Sequence, residues 1–230
     1  MENVLIEFSD VTKSFNKKLV LDKINLKIYE GEIFGLVGRS GSGKSTLIKI
    51  LLGTYKPDSG KVFFRGNDIT GNSYYLRKIV GLTTQENSFY DKLTVYENMR
   101  YYGNLFKVKK SKDQIMQLLS SVELNQSVNT LAENLSGGMK RRLDFALSMI
   151  HDPELLILDE PTTGLDPILV RQFWQIVRNA TGKTILVISH IFPEIKHNCK
   201  RVCLLGKGKA EVITITPRIN LLSEFERATT

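Results

Sequence analysis

The chain has 230 residues, enough for one large domain, or a domain with an insertion, around a sizeable buried core. Its 42% hydrophobic and 24% charged content is that of a globular protein, and no apolar run is long enough to cross a bilayer. The formal net charge of +8 points to acidic partners, nucleotides, lipid headgroups or nucleic acid, while two cysteines exclude a disulfide framework. The start, Met1-Glu2-Asn3-Val4, is no signal peptide, and no basic stripe interleaved with aromatics points to single-stranded nucleic acid.

Val4 to Phe8 and Leu19 to Ile28 read as strands, with Phe15 and a polar turn between them. Phe15 either packs in the core or stacks on a base. Ile33 to Val37 is an apolar strand that runs into Gly38-Arg39-Ser40-Gly41-Ser42-Gly43-Lys44-Ser45, then Thr46 and an apolar helix through Leu52. Strand, glycine-rich loop and helix with G-x-x-x-x-G-K-[ST] make a phosphate cradle. Glycines let the backbone wrap closely, so successive N–H groups and the helix N-terminus converge on an anion. Lys44 adds a full charge near the β- and γ-phosphates, and the Ser45 hydroxyl suits Mg²⁺.

Gly53 reads as a helix C-cap, Lys56 to Gly60 as a turn, and Lys61–Phe64 and Ile79–Thr83 as strands. The second of these strands leads into the polar Thr84-Gln85-Glu86-Asn87, where Gln85 is either solvated or offers an amide to a ligand. From Thr94 the pattern turns helical. Thr94-Val95-Tyr96-Glu97 and Ser111-Lys112-Asp113-Gln114 have capping-box spacing ahead of apolar faces. Leu135-Ser136-Gly137-Gly138 opens a third helix, ending near Ile150. Three helices in succession read as an insertion in a β–α alternation.

Leu155 to Leu158 is a strand that ends in Asp159-Glu160, and carboxylates at that end of an α/β strand sit where ligands bind. There Asp159 can hold Mg²⁺, and Glu160 can deprotonate a water attacking the γ-phosphate. Asp166-Pro167 starts a helix, with Asp as N-cap and Pro at the first helical position. Thr184 to Ser189 is an apolar strand followed by His190, which either caps or reaches a phosphate oxygen. A short helix at Pro193 to His197, strands at Val202–Leu205 and Glu211–Ile215, and a short tail complete the chain. His197, Cys199 and Cys203 lie close in sequence, but packing cysteines fit the strand-like surroundings of Cys203 better than a zinc site does.

The cradle, Leu135-Ser136-Gly137-Gly138-Met139, Leu155 to Glu160, Gly164-Leu165-Asp166 and Ser189-His190, in this order, resemble an ABC transporter nucleotide-binding subunit. The similarity runs from Phe15 to about Leu205. It implies an α/β fold with a P-loop NTPase (RecA-like) core over about 1–85 and 151–215. An N-terminal antiparallel β subdomain, a helical insertion over about 86–150 and a tail over 216–230 complete the single ATP-binding domain of residues 1–230. ATP and Mg²⁺ are the implied ligands, with Phe15 on adenine and Gly38, Arg39, Ser40, Gly41, Ser42, Gly43, Lys44, Ser45 and Thr46 on the phosphates.

The resemblance also makes Gln85 a Mg²⁺ contact facing the membrane partner, Asp159 the acid on the Mg²⁺ side, Glu160 the base and His190 the γ-phosphate switch. Ser136, Gly137 and Gly138 would cover the nucleotide of a second copy, with Asp166 communicating across that dimer. The run Met139-Lys140-Arg141-Arg142-Leu143-Asp144 is similar to the daunorubicin-resistance and lipo-oligosaccharide exporter branch. A separate transmembrane permease, a place on the cytoplasmic face of the membrane, and no nucleic-acid partner follow from this. The alternative is a soluble ABC-type ATPase acting on ribosomes or nucleic acid, whose relatives typically carry two cradles or a long coiled coil.

Overall fold

The computed structural model describes residues 3–180 and 182–229 and divides into two compact units, Met1–Val80 with Lys183–Thr230, and Gly81–Gly182. The first opens with β1 (Val4–Phe15) and β2 (Lys18–Tyr29), each longer than the sequence pattern predicts. β1 continues through the polar Ser9-Asp10 because Asp10 takes a left-handed φ of 49° at a register shift, a bulge that realigns the strand. Asn25 secures the bulge: its Oδ1 accepts the Asp10 N–H at 3.1 Å and its Nδ2 donates to the Asp10 carboxylate at 2.9 Å.

Next come β3 (Ile33–Gly38), α1 (Lys44–Leu51), β4 (Ser59–Phe64), β5 (Asn67–Asp68) and α2 (Ser73–Ile79). Gly60 belongs to β4 rather than to a turn, and a Cβ there would stand 2.3 Å from the Asp10 carbonyl oxygen across the bulge. Ile79, expected to open a strand, ends α2, which Asn72 caps by accepting the Tyr75 N–H at 3.1 Å. The antiparallel sheet has the order β2-β1-β4-β5.

The second unit begins with β6 (Val80–Thr83), α3 (Val95–Leu105) and α4 (Lys112–Ser121). Both expected capping boxes form, Thr94 with Glu97 and Ser111 with Gln114. Asn98, wholly buried, accepts the Tyr90 N–H at 2.8 Å and turns its amide nitrogen to the carbonyls of Tyr90, Leu93 and Thr94. It thereby ties down the polar stretch that leads from Gln85 to α3. α5 (Gly137–Ser148), β7 (Leu155–Asp159) and α6 (Pro167–Asn179) complete the unit, with β6 beside β7. Leu155 to Leu158 are all buried, as expected of a strand covered on both faces.

The chain then returns to the first unit with β8 (Thr184–Ile188), α7 (Phe192–Asn198), β9 (Arg201–Gly206), β10 (Lys209–Thr214) and α8 (Leu221–Thr229). Here β3 lies between β8 and β9, parallel to both, and β10 pairs antiparallel with β9. The core of this unit is the apolar run of β3, β8 and β9, Phe34 to Val37, Ile185 to Ile188 and Val202 to Leu205. The tail is a helix: α8 buries Leu221, Phe225 and Thr229, one residue per turn. Thr229 sits where a Gly206 Cβ would lie, 2.4 Å from its methyl group. Cys199 and Cys203 are both buried, and burial pushes each thiol up to about 12.

Candidate active site

In the first unit β3 delivers the chain to Gly38, five loop residues follow, and α1 begins at Lys44. The loop closes on itself where the Ser42 N–H donates to the Arg39 carbonyl at 3.1 Å. Glycine is required at two corners. A Cβ on Gly38 would stand 2.3 Å from Ser42 Oγ and 2.7 Å from the Leu205 carbonyl oxygen. Gly43 has a φ of 105°, with Leu21 at 2.9 Å from any Cβ. Lys44 folds back into the loop, and its ammonium donates to the carbonyls of Gly38 at 2.6 Å and Arg39 at 3.1 Å.

α1 has no side-chain cap, and a helix N-terminus of this kind offers backbone N–H donors to an anion. Ser42 Oγ is buried without a hydrogen-bond partner among the described residues. A cationic loop with uncapped N–H donors, an unsatisfied buried hydroxyl and glycines where side chains would intrude fits a polyphosphate.

Two further residues of this unit were singled out by the sequence. The pairing of Leu36 with Ile188 sets Ser189 and His190 alongside the end of β3, at the carboxyl edge that carries the loop. Ser189 is buried and its Oγ accepts the Ile191 N–H at 3.0 Å, whereas His190 is exposed. Phe15, whose residue type by itself favours the core, is instead 40% exposed at the end of β1. Its ring meets Tyr55 edge-on at 5.4 Å with the Lys13 ammonium 5.4 Å from its centroid, leaving aromatic surface for a base.

In the second unit Asp159 ends β7 and Glu160 takes a left-handed φ of 49°, a conformation that costs a non-glycine residue about 1–2 kcal/mol. A side chain of α5 holds the carbonyls of this turn. Arg141, buried at 8% exposure, donates from Nε to the Pro161 carbonyl at 2.6 Å and from Nη2 to those of Asp159 at 3.0 Å and Glu160 at 2.9 Å. Its Nη1 donates to the Thr84 carbonyl at 2.7 Å, the residue before the exposed Gln85.

Asp144, one turn further along α5, accepts the N–H and hydroxyl of Ser88 at 2.9 and 2.7 Å. Burial raises its carboxyl above the usual range and lowers the Arg141 guanidinium from its ordinary value. Ser136 caps α5, its Oγ accepting the Met139 N–H at 3.3 Å, and leaves Gly137 exposed. Asp166 caps α6, accepting the N–H groups of Ile168 and Leu169 at 2.9 and 3.1 Å.

The second unit therefore gathers the Gln85 segment, the Asp159-Glu160 turn and the helix behind Ser136 around one guanidinium. In the sequence Arg141 stands out only as part of the run Met139 to Asp144. The available signal was the stripe Arg141, Asp144 and Ser148 on a helix whose other positions are largely apolar, a pattern that ordinarily faces water. All three are buried.

A family profile described as ABC transporter matches residues 21–163. The chain belongs to the ABC transporter family. It is an ATP-binding, ATP-hydrolysing transporter subunit with a P-loop NTPase core and an antiparallel β subdomain. It is 39% identical over 213 residues to the Nod factor export ATP-binding protein I of Rhizobium sp. (strain N33), covering 91% of this chain and 70% of that protein. Against the protein of the same name from Mesorhizobium japonicum it is 37% identical, covering 90% of this chain and 62% of the relative.

Among solved structures, cbiO1 from Clostridium perfringens, part of the ABC transporter complex cbiONQ, has a TM-score of 0.86 at 24% identity, covering 98% of this chain and 93% of that one. A bacterial Atm1-family ABC exporter with ATP bound scores 0.81 at 24% identity over 99% of this chain and 42% of its own. These structures share the ABC ATPase fold. Among the described residues no helix is long and apolar enough to cross a membrane.

Proposed function

We propose that this ABC subunit drives an exporter: two copies close over two ATP molecules, and hydrolysis releases them. The observation that carries the reading is the loop built by Gly38, Ser42 and Lys44 ahead of an uncapped helix, a ready site for the triphosphate. Gly38 to Thr46 cradle the phosphates and Phe15 stacks on adenine. Ser45, Gln85 and Asp159 carry the oxygens that would hold Mg²⁺, which neutralises charge on the β- and γ-phosphates.

Glu160 takes a proton from the water that attacks the γ-phosphorus, while His190 holds a γ-phosphate oxygen. The start of α5, Ser136 to Gly138, offers a helix N-terminus to the γ-phosphate bound by the second copy, and Asp166 lies at that interface. The segment around Gln85 passes closure on to a separate transmembrane subunit, which places the chain at the cytoplasmic face of the membrane. Export is favoured over a ribosomal or nucleic-acid role by the relatives at 37–39% identity, which are named export ATP-binding proteins.

The test is Glu160→Gln. It should retain ATP binding and trap the closed dimer while turnover falls ~10²–10⁴-fold, the usual worth of a general base. Hydrolysis at the unaltered rate would remove Glu160 from this role.

A further inference from the structure

Arg141 uses four donor contacts on four backbone carbonyls, three of them consecutive, Asp159 to Pro161. Consecutive carbonyls in an extended strand point to alternate sides, so bringing three of them to one cation requires the chain to turn sharply. The turn is made at Glu160, at a φ of 49°. The same planar group holds the Thr84 carbonyl and is carried on α5, whose first turn holds Ser136 to Gly138.

Packing alone does not call for arginine here. A buried guanidinium carries a desolvation penalty that an apolar side chain of similar volume avoids. What the guanidinium alone supplies is a rigid fork of N–H groups that fixes several acceptors in one plane. A lysine ammonium, with three donors on a flexible stem, cannot span them.

We infer that Arg141 is a positioning residue for ATP hydrolysis. It holds the backbone of Glu160 in the conformation that presents the carboxylate to the attacking water, and ties the Gln85 segment and the start of α5 to that conformation. The inference rests on the assignment of Glu160 as the base. Arg141 touches no reacting atom; it acts through Glu160, and misplacement of a catalytic group by about 1 Å costs on the order of 10²-fold in rate.

The experiment compares Arg141→Lys and Arg141→Gln in the full chain, each alone and combined with Glu160→Gln. Binding stoichiometry and affinity for a fluorescent ATP analogue are measured beside kcat and single-turnover rates. Both single variants should bind the analogue with unchanged stoichiometry and affinity, while kcat falls roughly 10–100-fold. In the Glu160→Gln background the same changes should alter the residual rate less than about twofold, because residues acting as a unit are not additive.

Unchanged kcat overturns the inference. So does an equal fall in both backgrounds, or a loss of binding in parallel with turnover, the signature of a merely structural role. Full-rate hydrolysis by Glu160→Gln alone overturns the base assignment and this inference with it, before any Arg141 variant is made.

Discussion

The Lys44 ammonium donates a 2.6 Å hydrogen bond to the carbonyl oxygen of Gly38, the residue with which β3 hands the chain to its loop. The contact, with a second to Arg39 at 3.1 Å, sets a full positive charge against the loop. Lys44→Ala removes both the charge and the two bonds that shape the loop. A hydrogen bond involving a charged group contributes about 1.5–3 kcal/mol, so ATP affinity should fall roughly 10–100-fold. Titration with a fluorescent nucleotide checks this, and unchanged affinity contradicts the cradle.

Gly137 allows folding to be tested apart from the proposed contact with a second copy. A Cβ on it meets nothing within 4 Å, so alanine fits, and the helix gains up to about 0.5–1 kcal/mol from the lower backbone entropy of the unfolded chain. Gly137→Ala should therefore unfold at the same or slightly higher temperature, yet fail to form the ATP-dependent dimer. Light scattering with ATP bound to the Glu160→Gln form reads the second effect. Normal dimerisation would mean that Gly137 faces no phosphate of a second copy.

Asp166 has a structural duty, capping α6 through two N–H groups. Asp166→Ala should lose about 1 kcal/mol of stability, seen as a lower unfolding temperature. Asparagine caps equally well, so Asp166→Asn should unfold like the unsubstituted chain. Any loss of cooperativity in its ATP hydrolysis then measures the carboxylate's role at the interface, separately from the cap. Equal losses of stability in both variants would contradict the cap assignment.

Asp144 has a carboxyl raised by burial, against which the two Ser88 bonds and the Arg141 charge act. Its charged form is disfavoured in the folded chain. The stability it contributes is thus fully present below the ordinary aspartate range, near pH 4, and is lost as pH rises through the raised value. Urea unfolding from pH 4 to 7 should show the natural chain losing more stability than Asp144→Asn over the same span. Parallel curves would sink the argument.

Local chemistry made much of this molecule readable in advance. Thr94 with Glu97, Ser111 with Gln114 and Asp166 with Pro167 are caps whose side chains and spacing specify a helix start without help from the rest of the fold. The glycines from Gly38 to Gly43 likewise state their own backbone geometry. What stayed hidden depends on contacts made at a distance. The run of β1 past Asp10 needs Asn25 and the close approach of Gly60, and α8 is held where Thr229 meets Gly206. At the site, Arg141 in a row of basic residues looks solvated until Thr84 and Asp159 to Pro161 are seen to close around it.

Both cysteines of the chain are buried, their thiols held protonated far above neutral pH. Only the thiolate reacts quickly with maleimides or forms mixed disulfides, so neither sulfur competes for such reagents in the folded protein. A cysteine introduced at an exposed position outside the glycines of the helix start, such as Asn134, would be the fast-reacting one in an otherwise natural background. Cross-linking of two copies across the nucleotide then reports closure directly, without first stripping the native sulfurs from the core.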